Sequence, residues 1–412
     1  MLHTTRRALL AGAAVAGPLA FSRRTRAAAR EIKIALLTPL SGPWARQGEL
    51  EKKGALMAIE DANKAGGVRS LGGAPLRLVL ADAGGSVEQT TAAAQRLVAQ
   101  QPDLVAGIGV WLSSFTLAAT AVTERAQLPW CTLSWADTLT NRGFRYIIAT
   151  SPASSQIIGQ SLPPLVALAS KTAGKPPATI ALMDDDTAAS QANVKPLREG
   201  GLAKLHLKAV IDETFSPPLS DATPLIQRIR RERPDFVLLG TTNVPDSRLL
   251  LEKLTEFGLG HGRVPVFAPS AAWGTPEMLK IVGAENLEGL IGVAGNWGSN
   301  RQKPLLDEMC RRSGETWMTQ DTLSTYGHVM LIKDALERAA DTDRQKIMAA
   351  LLATDTTEGP AHYFLGTRLR FERDGRRADP VAGVFQWKNG VPLTVLPEED
   401  AFAPLTWPQR QT

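Results

Sequence analysis

From residue 31 onward, short apolar runs alternate with longer segments whose apolar positions recur every three to four residues. The short runs predict strands at 32–37, 76–81, 104–107, 128–133, 146–149, 179–183, 236–239, 266–268 and 290–294. The periodic segments predict helices at about 47–65, 87–101, 113–127, 153–171, 188–200, 221–232, 246–257 and 275–283. Alternation of this kind builds parallel sheets with helices on both faces, an α/β fold. Residues 203–210 read differently: Leu205 and Leu207 alternate with Lys204, His206 and Lys208, predicting a strand with one wet face. Helices follow near 302–313, 321–340 and 345–353. From Thr367 strand-like alternation returns, broken by Asp374-Gly375 and Asn389-Gly390, both hairpin-type turn pairs.

The chain has 412 residues, 44% hydrophobic and 21% charged, enough for two domains with separate cores. Its formal charge of +5 suggests a polyanion partner until the charge is located. Residues 1–29 hold Arg6, Arg7, Arg23, Arg24 and Arg26 and no acid; the remainder balances 41 basic against 41 acidic residues. No electrostatic case for nucleic acid is left. In that first segment, twin arginines precede a modest apolar run at 8–21 that contains Pro18, too short and weak to anchor in a bilayer. Ala27-Ala28-Ala29 then offers small residues to a signal peptidase. The pattern resembles a twin-arginine export signal cleaved near Ala29, with an ordinary secretory signal as the alternative. Export places the mature protein in the periplasm. No cysteine near the cleavage site indicates a lipid anchor, and no later stretch is apolar enough to span a membrane. Cys131 and Cys310 fall on distant elements, so two separate buried thiols are expected rather than a disulfide.

Ligands of open α/β sheets bind outside the carboxyl ends of the strands. Trp44, Trp111, Trp135, Trp273 and Trp297 all fall in loops after predicted strands, five of nine tryptophans. Any one of them is more often core or rim; together they predict an aromatic-walled cleft. Catalytic patterns are missing: no G-x-G-x-x-G after a strand, phosphate loop, H-E-x-x-H or G-x-S-x-G occurs, and His206, His261, His328 and His362 lack metal spacing.

Thr38-Pro39-Leu40-Ser41-Gly42-Pro43 follows the first strand, and Gly48, Gly54, Ala58-Ile59 and Asp61-Ala62-Asn63-Lys64-Ala65-Gly66-Gly67-Val68 follow it in order. With Asp82, Leu112-Ser113-Ser114, Asn141-Arg142-Gly143-Phe144-Arg145 and Gly383-Val384-Phe385-Gln386-Trp387, this resembles the branched-chain amino-acid (Leu/Ile/Val) binding proteins of ABC importers, from about 31 to 398. The resemblance implies a type I periplasmic binding protein: two Rossmann-like lobes with parallel sheets joined by a three-segment hinge. Lobe 1 is then expected at 30–150, lobe 2 at 151–294, a return to lobe 1 at 295–375, and lobe 2 with the tail at 376–412. It also implies a monomer that hands a small molecule to a permease pair with cytoplasmic ATPases, with no cofactor, no catalysis and no stable membrane insertion.

In such proteins a ligand carboxylate docks on serine hydroxyls and backbone N–H groups at a helix start, where Ser113 and Ser114 stand here. A simple helix cap at Ser113 is the plainer reading. Ser134 and Trp135 match the next contact segment, and Gln47 a wall position near Trp44. The second lobe departs from the family. Asp184-Asp185-Asp186 replaces a tyrosine-bearing loop and reads as a solvated turn or helix cap, with cation binding as the alternative; Thr242 stands where a tyrosine is common, and Ser270 where a glutamate usually holds the ligand's ammonium. Unless Asp137 or one of Asp184–Asp186 substitutes, a plain α-amino acid lacks its anionic partner. The expected ligand is therefore an aromatic or bulky apolar acid or amide, with a quaternary amine as the less favoured version because no acid is securely placed in the pocket. The alternatives are a ligand-sensing module of the same fold and an ordinary branched-chain amino-acid binder.

Overall fold

The structure, a computed structural model, describes residues 30–407; the export signal read at 1–29 lies outside the described residues. Strands β1 (Ile32–Thr38), β2 (Leu76–Asp82), β3 (Leu104–Gly109), β4 (Trp130–Thr132) and β5 (Ile147–Ala149) form a parallel sheet in the order β2-β1-β3-β4-β5. Helices α1 (Ala45–Lys64), α2 (Val87–Gln100) and α3 (Ser113–Arg125) connect them. β1 and β3 are buried over almost their whole length, as strands covered on both faces must be.

The chain then crosses to a second sheet through α4 (Ser154–Ala173). There it runs β6 (Thr179–Asp185), α5 (Ala188–Pro196), a single turn α6 (Leu202–Lys204), β7 (Lys208–Phe215), α7 (Thr223–Glu232), β8 (Phe236–Gly240) and α8 (Val244–Glu256). β9 (Val266–Ala268), α9 (Pro276–Val282), the short α10 (Ala284–Leu287) and β10 (Ile291–Ala294) complete this passage. The return to the first lobe brings α11 (Lys303–Ser313), α12 (Gln320–Ala339), α13 (Arg344–Leu352) and a small antiparallel pair, β11 (Asp355–Thr356) with β12 (Leu369–Arg370). A third crossing delivers the hairpin β13 (Gly383–Lys388) and β14 (Val391–Leu396) to the second sheet, whose order is β14-β13-β10-β9-β8-β6-β7. Asn389 and Gly390 turn that hairpin with both φ angles positive, as an Asn-Gly pair favours.

One contact sets the height of α12. A Cβ on Gly54 of α1 would stand 2.2 Å from the Thr322 carbonyl oxygen, so only glycine lets the two helices approach this closely. Thr322 Oγ1 also donates to the Leu50 carbonyl at 3.1 Å. The first turn of α12 is thereby held at the seam between the lobes.

The strand expected at 203–210 is not there. Residues 202–204 finish a helix, His206 takes φ 55° in a turn, and the strand begins only at Lys208. β7 is the sheet edge, and its half-wet pattern runs five residues beyond the predicted end. Asp374-Gly375 turns a one-bridge hairpin whose Gly375 carbonyl accepts from Ala149 N at 2.9 Å, extending the edge at β5. Both cysteines are free; Cys131 is buried, but Cys310 is only partly so, against the expectation of two buried thiols. No described helix is long and apolar enough to cross a membrane.

Candidate functional site

The carboxyl ends of the two sheets face one another across a cavity of about 30 Å³. The first lobe contributes Gln47 of α1, Trp111 before α3, Ser113 at the start of α3 and Trp135 after β4. The second lobe contributes Ala189, Ser190 and Asn193 of α5, Thr241 and Thr242 after β8, and the turn at 269–272 after β9. The return helix α12 adds Gln320 and Asp321 from its first turn. The volume admits about one water molecule, so the lobes are closed on each other. Ser114 Oγ accepts from Ala188 N of the second lobe at 3.1 Å. Arg46 of α1 reaches Glu277 of α9 at 2.8 Å while it holds Glu315 at 2.6 Å. Trp317 Nε1 donates to the Gly274 carbonyl at 2.7 Å.

The cavity wall is acidic and under-bonded. Among the described residues that line it, Asp321 is the one carboxylate, and no lysine, arginine or histidine joins it. Asp321 is 1% exposed, and its Oδ2 has no hydrogen-bond partner. Burial pushes its pKa up to about 7, against the nearby Thr319 hydroxyl, its own backbone N–H and, least, the charge of Arg46. Glu51, one turn along α1 from Gln47, is fully buried; its Oε2 accepts from Thr38 Oγ1 at 2.5 Å and its Oε1 has no partner. Burial drives this carboxyl well above the usual range; the Thr38 bond opposes the shift and the Asp321 charge adds to it. Neither amide atom of Gln47 is bonded, nor is the indole nitrogen of Trp111 or Trp135. A buried polar atom without a partner costs about 1–3 kcal/mol. A cluster of them around a cavity marks where a ligand supplies the missing bonds.

The sequence reading placed more residues here than the structure brings together. Gln47, Trp111, Ser113, Trp135, Thr242 and Ser270 line the cavity. Ser113 Oγ already accepts from Trp135 N at 3.2 Å and Ala136 N at 3.1 Å, so it ties two first-lobe loops together. Ser114 closes the cleft through Ala188 rather than lining it. Ser134 is spent on the Val110 and Trp111 carbonyls at 2.9 and 2.7 Å. Asp137 holds Ser155 at the first crossing.

Three tryptophans go to the core instead. Trp44 packs edge-on against Phe115 at 5.3 Å. Trp273 is fully buried and offers its carbonyl to Trp387. Trp297 stacks on Phe385 at 4.4 Å. The aromatic wall thus has two indoles, not five.

Two of the three aspartates, Asp184 and Asp185, are buried, while Asp186 is exposed. Asp185 is buried and accepts from the N–H and hydroxyl of both Thr187 and Thr242. Asp184 pairs with Arg198 at 2.9 Å. Neither lines the cavity. The acid that does, Asp321, was not anticipated, nor were Gln320, Ser190 and Asn193. No group of three or more His, Cys, Asp or Glu among the described residues converges as a metal site.

Residues 31–391 match the sequence profile described as periplasmic binding protein. The Leu/Ile/Val-binding protein homolog 8 of Brucella melitensis biotype 1 is 25% identical over 409 residues, covering 96% of this chain and 97% of the relative. Among solved structures, the branched-chain amino acid transporter substrate binding protein LivJ of Streptococcus pneumoniae, in complex with isoleucine, superposes with a TM-score of 0.75 at 20% identity, over 88% of this chain and 98% of its own. An ABC transporter solute binding protein of R. palustris, in complex with benzoate, gives 0.74 at 16% identity, over 91% and 97%. The shared architecture is the type I periplasmic binding fold.

Proposed function

We propose that this chain, which belongs to the periplasmic binding protein family, is the substrate-binding receptor of an ABC importer and catalyses no reaction. The observation that carries this is a polar, two-sided cavity at the carboxyl ends of both sheets, sealed by contacts that run from one lobe to the other. A ligand that bridges such a cleft shifts an open–closed equilibrium toward closure. The closed form then docks on a permease pair, and ATP is hydrolysed by that pair's cytoplasmic partners. Export to the periplasm and a monomeric state belong to the same proposal.

The ligand we expect is small, with a flat or bulky apolar body held by Trp111 and Trp135 and one polar end; the sequence makes that end an acid or amide, but the described lining residues hold a carboxylate, Asp321, and no cationic side chain to receive an acid. Solved proteins of this fold bind isoleucine in one case and benzoate in another. A plain amino acid is the second reading, because Asp321 supplies the anionic partner that Ser270 lacks. A thermal-shift screen of amino acids, aromatic acids, amides and amines tests the proposal. A ligand at 100-fold its Kd adds about 2.7 kcal/mol of stability. Recovery of the compound unchanged supports a receptor, and its conversion by the pure protein overturns it.

A further inference from the structure

We propose that the return helix α12 supplies the ligand's anchor and that the ligand is a cation: an aromatic or bulky amine whose protonated nitrogen is received by the Asp321 carboxylate. This deepens the receptor reading and rests on it. Three observations carry it. Asp321 is the one ionisable group among the described residues lining the cavity, it is 1% exposed, and its Oδ2 has no partner. A second buried carboxyl, Glu51, lies close enough to feel the Asp321 charge and also has an unbonded oxygen. The indoles of Trp111 and Trp135 line the same cavity, and indole faces attract desolvated cations. The second lobe offers hydroxyls and amides, but its acids are already paired: Asp185 with two threonines, Asp184 with Arg198.

The titratable groups that act with Asp321 are Arg46 and Glu51 of α1; burial favours the neutral form of Glu51, and Arg46 is itself engaged by Glu277 and Glu315. His328, two turns along α12, is bonded to Thr150. With Arg46 held by two acids, the carboxyl is drawn to ionise by a cation in the cavity. Binding a cation therefore releases a proton from Asp321. A carboxylate ligand would need the carboxyl protonated and would take a proton up. The sign of the proton exchange separates the two.

The experiment is titration calorimetry with benzylamine, benzamide and benzoate, near pH 6, in two buffers of different ionisation enthalpy. Benzylamine is expected to bind roughly tenfold or more tighter than the other two. It should release protons, bind more tightly near pH 8, and lose roughly tenfold or more in Asp321→Asn along with the proton release. The wild-type proton exchange needs no variant, so misfolding of Asp321→Asn does not blunt the test. Preference for benzoate with proton uptake, or a benzylamine affinity indifferent to Asp321→Asn, overturns the cationic ligand and leaves the receptor reading standing. Silence from all three probes overturns the cationic ligand too, and the receptor reading is then decided by the wider screen.

Discussion

Asp321 sits in the first turn of α12 with one oxygen unbonded, and this placement costs the unliganded fold stability. Its pKa is about 7 in the folded protein, against about 3.9 for an unfolded aspartate. Between those values the native state binds more protons than the unfolded chain, so stability falls as pH rises from about 4 to 7. Asp321→Asn should then be more stable than the parent near pH 8, by roughly 2–4 kcal/mol, with the gap narrowing toward pH 4. Urea unfolding at several pH values measures it, and an Asn variant less stable than the parent at pH 8 would contradict the assignment.

Ser113 makes a different residue-scale case. Ser113→Ala strands the N–H groups of Trp135 and Ala136, both buried, and should destabilise the fold by about 1–3 kcal/mol. Weaker binding with unaltered stability would instead assign the hydroxyl to the ligand.

The loop after β4 was legible in part: Trp135 lines the cavity where the resemblance puts a contact, whereas Ser134 turns to the Val110 and Trp111 carbonyls. Asp321 was not legible. It lies some 200 residues from those loops, and an acid at a helix start reads as favouring the helix dipole. The five tryptophans misled for the opposite reason: Trp273 and Trp297 meet Trp387 and Phe385 of β13, a strand that arrives about 100 residues later.

At the scale of elements, the strand–helix order followed from periodicity because β1, β3 and β8 are short apolar runs between amphipathic helices. The one misplaced strand, at 203–210, shows the limit. Two leucines alternating with polar residues suit the end of a helix and a turn as well as a strand, and the edge strand β7 carries little apolar signal of its own. The crossings between lobes can be probed directly. A Cβ on Gly295, just after β10, would stand 2.7 Å from both Ser151 and the Trp135 indole nitrogen. Gly295→Ala should therefore strain the second crossing by about 1–3 kcal/mol. It should also displace Trp135, weakening ligand binding more than a surface Gly→Ala change does. Unfolding and binding titrations on the same variant check both effects, and an unaltered affinity would detach Trp135 from the ligand.

For the whole molecule, closure is held by few bonds between the lobes. The Arg46–Glu277 pair is about a quarter exposed on each side, where removal of an ion pair costs about 0.5–1 kcal/mol. Glu277→Gln should thus lower the closed population two- to fivefold or so and raise the ligand off-rate, without changing the folded core. Stopped-flow dissociation reads this, and an unchanged off-rate would remove the pair from the closure mechanism. A receptor of this kind closes around its small molecule. Small-angle X-ray scattering of the pure protein, with and without the tightest binder from the screen, tests that most directly. Contraction on binding, toward the closed arrangement described here with the cleft widened by the ligand's own volume, is the predicted result. A scattering profile that saturating ligand leaves unchanged, with the unliganded protein already matching the closed form, would contradict it.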